Sequence, residues 1–231
     1  MVYAAVGQAG ASGYIAIMGL VGFGPLAMKT TALSLNLLVA AIGTVLFLIV
    51  GRLSWRDVWP FAILGFPFSM LGGALQLPEG VYFPLVGLVL ILSAFQMARA
   101  AFSGKRTEGE APVTPPFTAA LATGAVIGFI SGTTGTGGGV FLAPIILTMH
   151  WGTARQTAAT TAVYNLMNSF AALIGAYAAW DYIPARLPVW LVAVAVGGSI
   201  GSYIGSRYLS DRRLRMILSV LLLMSGIKLV W

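Results

Sequence analysis

The amino-acid sequence predicts an all-α integral membrane protein made of two inverted repeats, each a glycine-broken re-entrant segment followed by three transmembrane helices. Three observations lead there. Of the 231 residues, 58% are hydrophobic and 8% charged, against roughly 25% charged in a soluble domain. The apolar runs are about 20 residues long and do not alternate as barrel strands do. The segment from Phe117 to Met149 carries no Asp, Glu, Lys, Arg or His, yet holds five glycines and three threonines between Gly132 and Gly139.

That cluster is informative because hydrocarbon forbids a loose loop. Unpaired backbone N–H and C=O groups cost several kcal/mol each there, and non-helical backbone survives only where it is packed in protein or lines a watery cavity. The segment is therefore expected to form two short helices meeting at a glycine break. The N-terminus of the second would turn free N–H groups and a positive dipole end towards the membrane interior, as an anion site requires.

The elements follow in order. Residues 1–28 are apolar and glycine-rich, and Lys29 closes that stretch. The start, Met1-Val-Tyr-Ala-Ala-Val, lacks the basic region of a cleavable signal. Spans are expected over Thr30–Val50, Val58–Leu77 and Tyr82–Phe102, with a turn at Pro78-Glu79-Gly80. Residues 103–116 form a polar linker containing three prolines. After the broken segment, spans are expected over Ala158–Ala179, Pro188–Tyr208 and Met216–Trp231, with a charged turn at Asp211-Arg-Arg-Leu-Arg215. The domain organisation is thus a first transmembrane repeat over 1–102, a cytoplasmic linker over 103–116 and a second repeat over 117–231. Gly7, Gly10 and Gly13 align with Gly132, Gly135 and Gly138. Thr31 and Asn36 align with Thr160 and Asn165 after a four-residue insertion.

Charge sets the topology. If the broken segment crosses once, the basic residues split six to seven between the two sides. If it enters and returns, Arg52, Arg56, Arg99, Lys105, Arg106, Arg155, Arg207, Arg212, Arg213 and Arg215 share a side, against Lys29, Arg186 and Lys228. Only the re-entrant arrangement obeys the positive-inside rule. It also makes the halves inverted repeats, with binding expected at the midplane between broken helices.

Chemistry follows from what the spans hold and lack. Asp57, Glu79, Glu108, Glu110, Asp181 and Asp211 all fall at membrane edges or in the linker, so a buried carboxylate proton relay is not expected and the interior suits an anion better than a cation. There is no cysteine, which excludes disulfide and thiolate chemistry. No HExxH, no Ser/His/Asp set and no in-membrane acid pair is present, so no enzyme, metal or cofactor is expected. The lone His150 is read as interfacial. The tryptophans mostly fall near span ends, as an aromatic belt should. Pro67 and Pro144 are expected to kink or end helices.

Two constellations remain as candidate anion ligands. Gly10, Gly13, Gly135, Gly138 and Gly139 would let backbone N–H groups approach the solute. Thr31, Asn36, Thr161, Asn165 and Asn168 would add side-chain donors, the last three sharing one helical face by their spacing of four and three. The plainer alternatives are a glycine zipper for the first set and inter-helix hydrogen bonding for the second. A P-loop is excluded, since no Lys follows the second glycine of the required pattern.

Gly128-Phe-Ile-Ser-Gly-Thr-Thr-Gly-Thr-Gly-Gly-Gly-Val-Phe-Leu-Ala-Pro-Ile-Ile-Leu147, with Ala158-Ala-Thr-Thr-Ala-Val-Tyr-Asn-Leu-Met-Asn168 downstream, resembles the TauE/SafE sulfite-exporter family. Gly24-Pro-Leu-Ala-Met-Lys-Thr-Thr31 looks like the matching element of the first half, although Ala11, Ser12 and Tyr14 stand where glycines are common. The resemblance implies a multi-pass transporter of a bacterial-type inner membrane, exporting a small sulfur-containing anion such as sulfite or an organosulfonate. A passive channel for a small anion or neutral solute is the alternative. The partners expected are the anion and the lipid bilayer, with no nucleic acid; a homo-oligomer is compatible with the sequence.

Overall fold

A computed structural model describes residues 10–49, 54–102, 113–208 and 211–231. Among them the chain forms α1 (Ala11–Val21), α2 (Pro25–Ile49), α3 (Trp55–Ala74), α4 (Glu79–Phe102), α5 (Phe117–Thr134), α6 (Gly139–Thr148), α7 (Ala154–Gly175), a 3-10 stretch (Ala176–Tyr182), α8 (Leu187–Tyr208) and α9 (Asp211–Val230). The described residues contain no strand. Gly7, Arg52 and most of the 103–116 linker lie outside the described residues.

Two expected turns are helix starts instead. Glu79 opens α4 and Asp211 opens α9, where an acidic side chain complements the positive dipole end. Pro67 lies inside α3 and Pro144 inside α6, and neither ends its helix. The expected span Ala158–Ala179 begins four residues earlier and changes to 3-10 geometry at Ala176.

Small residues let the helices approach backbone to backbone. A Cβ on Gly124, Gly128 or Gly132 of α5 would strike the carbonyl oxygen of Phe61, Gly65 or Ser69 of α3 respectively. Both series advance by four residues in the same direction, so α3 and α5 run parallel. Helix α7 runs parallel to them too. Gly65 meets Tyr164, Ser69 Oγ donates to Asn168 O at 2.9 Å, and a Cβ on Gly73 would strike Ala172 O. Helix α2 is antiparallel to α7, with Asn36 against Ser169 and Gly43 against Ala162. Gly87 of α4 and Gly226 of α9 cross in the same close manner.

The parallel sense of α5 and α7 fixes what lies between them: α6 must return to the end from which α5 set out. Two contacts agree. Val113 N donates to His150 O at 2.8 Å, joining the approaches to the segment's two ends, and the Trp151 and Phe61 rings stand 6.0 Å apart near the start of α3. The chain from Phe117 to Met149 therefore doubles back within the helical bundle.

Pro25–Ile49, Glu79–Arg99 and Phe117–Thr134 are each long and apolar enough to cross a bilayer. Their outward faces carry large apolar side chains, among them Val45, Leu46, Ile49, Leu88, Leu92, Phe95 and Val126. A soluble helix would place its polar residues there.

Candidate functional site

The break occupies residues 135–138, and each glycine around it has its own reason. Gly128 and Gly132 belong to the packed seam with α3. Gly135, Gly137 and Gly138 take φ of 85°, 78° and 81°, a left-handed region that other residues adopt only at a cost. Gly139 has helical backbone, but a Cβ there would collide with the Asn165 amide.

The chain after α5 runs back along α2. Gly135 lies against the backbone and stem of Lys29, Gly137 against the Asn36 amide, and Gly138 beside Ile127, Tyr164 and Asn168. Lys29 and Asn36 are seven residues apart, about 10 Å along a helix. The break is thus drawn back from the far end of α5, where Tyr82 Oη donates to Thr134 O at 3.0 Å, to the level of Ile127.

Gly138 caps α6. The Gly139 N–H donates to Asn165 Oδ1 at 2.7 Å, so a side chain from α7 serves the end of α6. The Phe141 and Leu142 N–H groups turn back to Gly138 O. The N–H groups of Gly137, Gly138 and Val140 have no acceptor among the described residues.

The surrounding side chains are polar and buried. Thr31, Asn36, Ser131, Thr134, Thr136, Asn168 and Ser169 are each no more than 2% exposed. Asn36 Nδ2 donates to Ser169 Oγ at 2.7 Å, and Asn168 Nδ2 to Ser131 Oγ at 3.3 Å. Thr31 Oγ1, Asn36 Oδ1 and Asn168 Oδ1 are buried without a partner among the described residues. Burying a polar atom unpaired costs about 1–3 kcal/mol, so the Asn36 and Asn168 oxygens beside the break mark a place prepared for something else. Thr31, two residues after Lys29, lies on another face of α2 from Lys29 and Asn36 and is not brought to the break. A half-turn of the Asn36 amide keeps the Ser169 bond, now donated by the hydroxyl, and offers the amide NH2 instead.

Not every expected ligand is brought here. The Thr161 hydroxyl donates to Thr157 O at 2.8 Å within its own helix, so it is no free donor for a solute. Gly13 is buried inside the first turn of α1, its N–H donating to Gly10 O at 3.0 Å. Gly10 itself is the left-handed cap of α1, φ 87°, and so does the work that Gly138 does for α6. The separations Gly10–Asn36 and Gly138–Asn165 differ by a single residue.

Gly137, Ser131, Thr136, Tyr164, Ser169 and Lys29 were not foreseen as site residues. Gly137 could have been found as the unassigned member of Thr136-Gly-Gly-Gly139, and Ser169 as the neighbour of Asn168. The sequence reads Lys29 as a membrane boundary; in the structure it lies in the second turn of α2, 2% exposed, and its Nζ donates to Gly73 O at 2.8 Å and Leu75 O at 2.6 Å.

The profile of the TauE/SafE sulfite exporter family matches residues 1–229. The chain belongs to this family. It is 68% identical over 231 residues to a probable membrane transporter protein, y4hK, of Sinorhizobium fredii, covering all of this chain and 94% of the relative. It is 24% identical over 213 residues to a probable membrane transporter protein, MJ0441, of Methanocaldococcus jannaschii, covering 81% of this chain and 77% of that one. No solved structure matches the chain. The TauE/SafE chain described here is thus a member of a membrane transporter family and not an enzyme.

Proposed function

We propose that this TauE/SafE protein exports a small sulfur-containing oxyanion, sulfite or an organosulfonate, bound at the membrane midplane against the glycine break. The observation that carries this reading is the meeting of unspent backbone N–H groups at the start of α6 with the buried amides of Asn36 and Asn168. Those N–H groups favour negative charge. Asn36 lies near the middle of α2, and Asn165 and Asn168 near the middle of α7. The described carboxylates Asp57 and Glu79 sit in the first turns of their helices and Asp181 is exposed, so none of them repels an anion from within.

The halves are inverted repeats in this reading. Helices α2 and α7 carry the matched asparagines and run antiparallel, and α1 and α6 are short helices with matching left-handed glycine caps. Rocking one repeat against the other would give alternating access. With residues 103–116 in the cytoplasm, single cysteines introduced into the cysteine-free chain at Thr107 and Asp181 should react from opposite sides with a membrane-impermeant thiol reagent. Labelling of both from one side would exclude the inverted arrangement.

Purified protein in liposomes should carry sulfite saturably, faster when the opposite side holds unlabelled sulfite. Flux linear in concentration, with no such stimulation, would point to a channel instead. No flux of any sulfur oxyanion would remove the proposed function.

A further inference from the structure

Lys29 is a buried cation that neither the fold class nor the family name assigns. Its aliphatic stem lies against the break: a Cβ on Gly135 would come within 3.4 Å of Lys29 Cγ and 3.1 Å of its Cα. Its tip lies at the end of α3, where Leu75 is 41% exposed. The side chain thus runs from the break to a point where the molecule opens outwards.

Capping α3 explains only part of this. The last carbonyls of a helix attract a cation, but surface lysines and arginines serve that purpose without being buried. An ammonium taken out of water costs several kcal/mol unless a negative charge accompanies it. Both of its partners are neutral carbonyl oxygens. Among the described carboxylates, Glu79 and Asp181 are exposed and Asp57 is half-buried at the opposite end of α3. An ammonium has three donors; two are engaged and the third is not. Among the described side chains, the buried charge therefore has no counter-charge.

We propose that Lys29 supplies the positive charge that attracts the transported anion and draws it towards the break, the anion being the missing counter-ion. This rests on the anion reading above and adds its charge-selecting residue. In this role the Gly73 and Leu75 carbonyls fix the ammonium while the site is empty. The anion meets the third N–H at the outer end of the stem and is drawn from there towards the backbone N–H groups of the break. A neutral solute of the same shape gains little from such a site, so Lys29 is what makes it select for charge.

The test is binding of sodium sulfite to the purified full-length protein, by calorimetry and by melting-temperature shift. Dimethyl sulfone serves as the neutral probe and sodium chloride as the ionic-strength control. Lys29→Gln retains donors for Gly73 and Leu75 but no charge, and should bind sulfite roughly a hundredfold more weakly. Lys29→Met is a second neutral variant with the same expected loss, and Lys29→Arg should stay within about tenfold of wild type. Dimethyl sulfone should shift none of them. A neutral variant that folds and binds sulfite as wild type does would overturn the proposal, leaving Lys29 a helix cap and the anion function standing. Wild-type protein that binds no sulfite, sulfate or sulfonate would overturn the anion reading and this proposal with it.

Discussion

Gly137→Leu is expected to reduce sulfite flux in proteoliposomes to the background of empty vesicles. Gly137 has φ 78°, and any Cβ there would collide with the Asn36 amide nitrogen and come within 3.3 Å of Asn165 Oδ1. Forcing the left-handed backbone onto another residue costs about 1–3 kcal/mol, and overpacking a filled interior about as much again. The second term falls on the two asparagines that face the break. Gly22→Leu separates the effects, because Gly22 also has positive φ, 84°, but nothing lies within 4 Å of its Cβ position. That variant should melt lower and transport normally. Gly135→Ala should fall between them, since its nearest neighbours are the Lys29 Cα at 3.1 Å and O at 3.2 Å. Flux and melting temperature measured on all three decide it. Full flux in Gly137→Leu would place the pathway elsewhere.

Asn165→Asp gives the second large effect and isolates charge from shape. The carboxylate is nearly isosteric with the amide and still offers an oxygen to the Gly139 N–H, which now donates at 2.7 Å. The cap of α6 is preserved and the helix N-terminus offsets part of the cost of burying the carboxylate, so the melting temperature should fall less than in Asn165→Leu. A fixed negative charge about 4 Å from the anion opposes it by roughly 4 kcal/mol at an effective dielectric of 20, about a thousandfold in affinity. Asn165→Leu should behave differently. It leaves the Gly139 N–H buried and unpaired, which costs about 1–3 kcal/mol, so stability and transport fall together. Sulfite titration of both variants checks the contrast. Equal sulfite affinity in Asn165→Asp and wild type would mean that no anion approaches this helix end.

Much of the architecture was legible because hydrocarbon leaves a chain few choices. Apolar length located α2, α4 and α8, and the cost of unpaired backbone turned Gly132–Gly139 into a broken segment. Charge placement pointed to a segment that returns to its own side, and the parallel course of α5 and α7 has the chain between them reverse. What was not legible depends on neighbours distant in sequence. Gly128, Gly135 and Gly139 look alike as letters; they differ because one meets a carbonyl of α3, one turns left-handed beside Lys29 and one yields to Asn165. Thr161 looked like a donor, but a hydroxyl on a helix can spend its proton on the preceding turn. Lys29 looked like the edge of the membrane because a lone lysine after an apolar stretch usually is. Only the two carbonyls at the end of α3 show otherwise. Glu79 and Asp211 read as turn residues in the sequence because acids suit turns and helix starts alike.

The seam between α3 and α5 bears on motion as well as packing. Contact of main chain with main chain at Phe61, Gly65 and Ser69 leaves no side-chain cushion that could shear. These two rods should therefore travel as one slab, and whatever swings when cargo crosses must hinge around them.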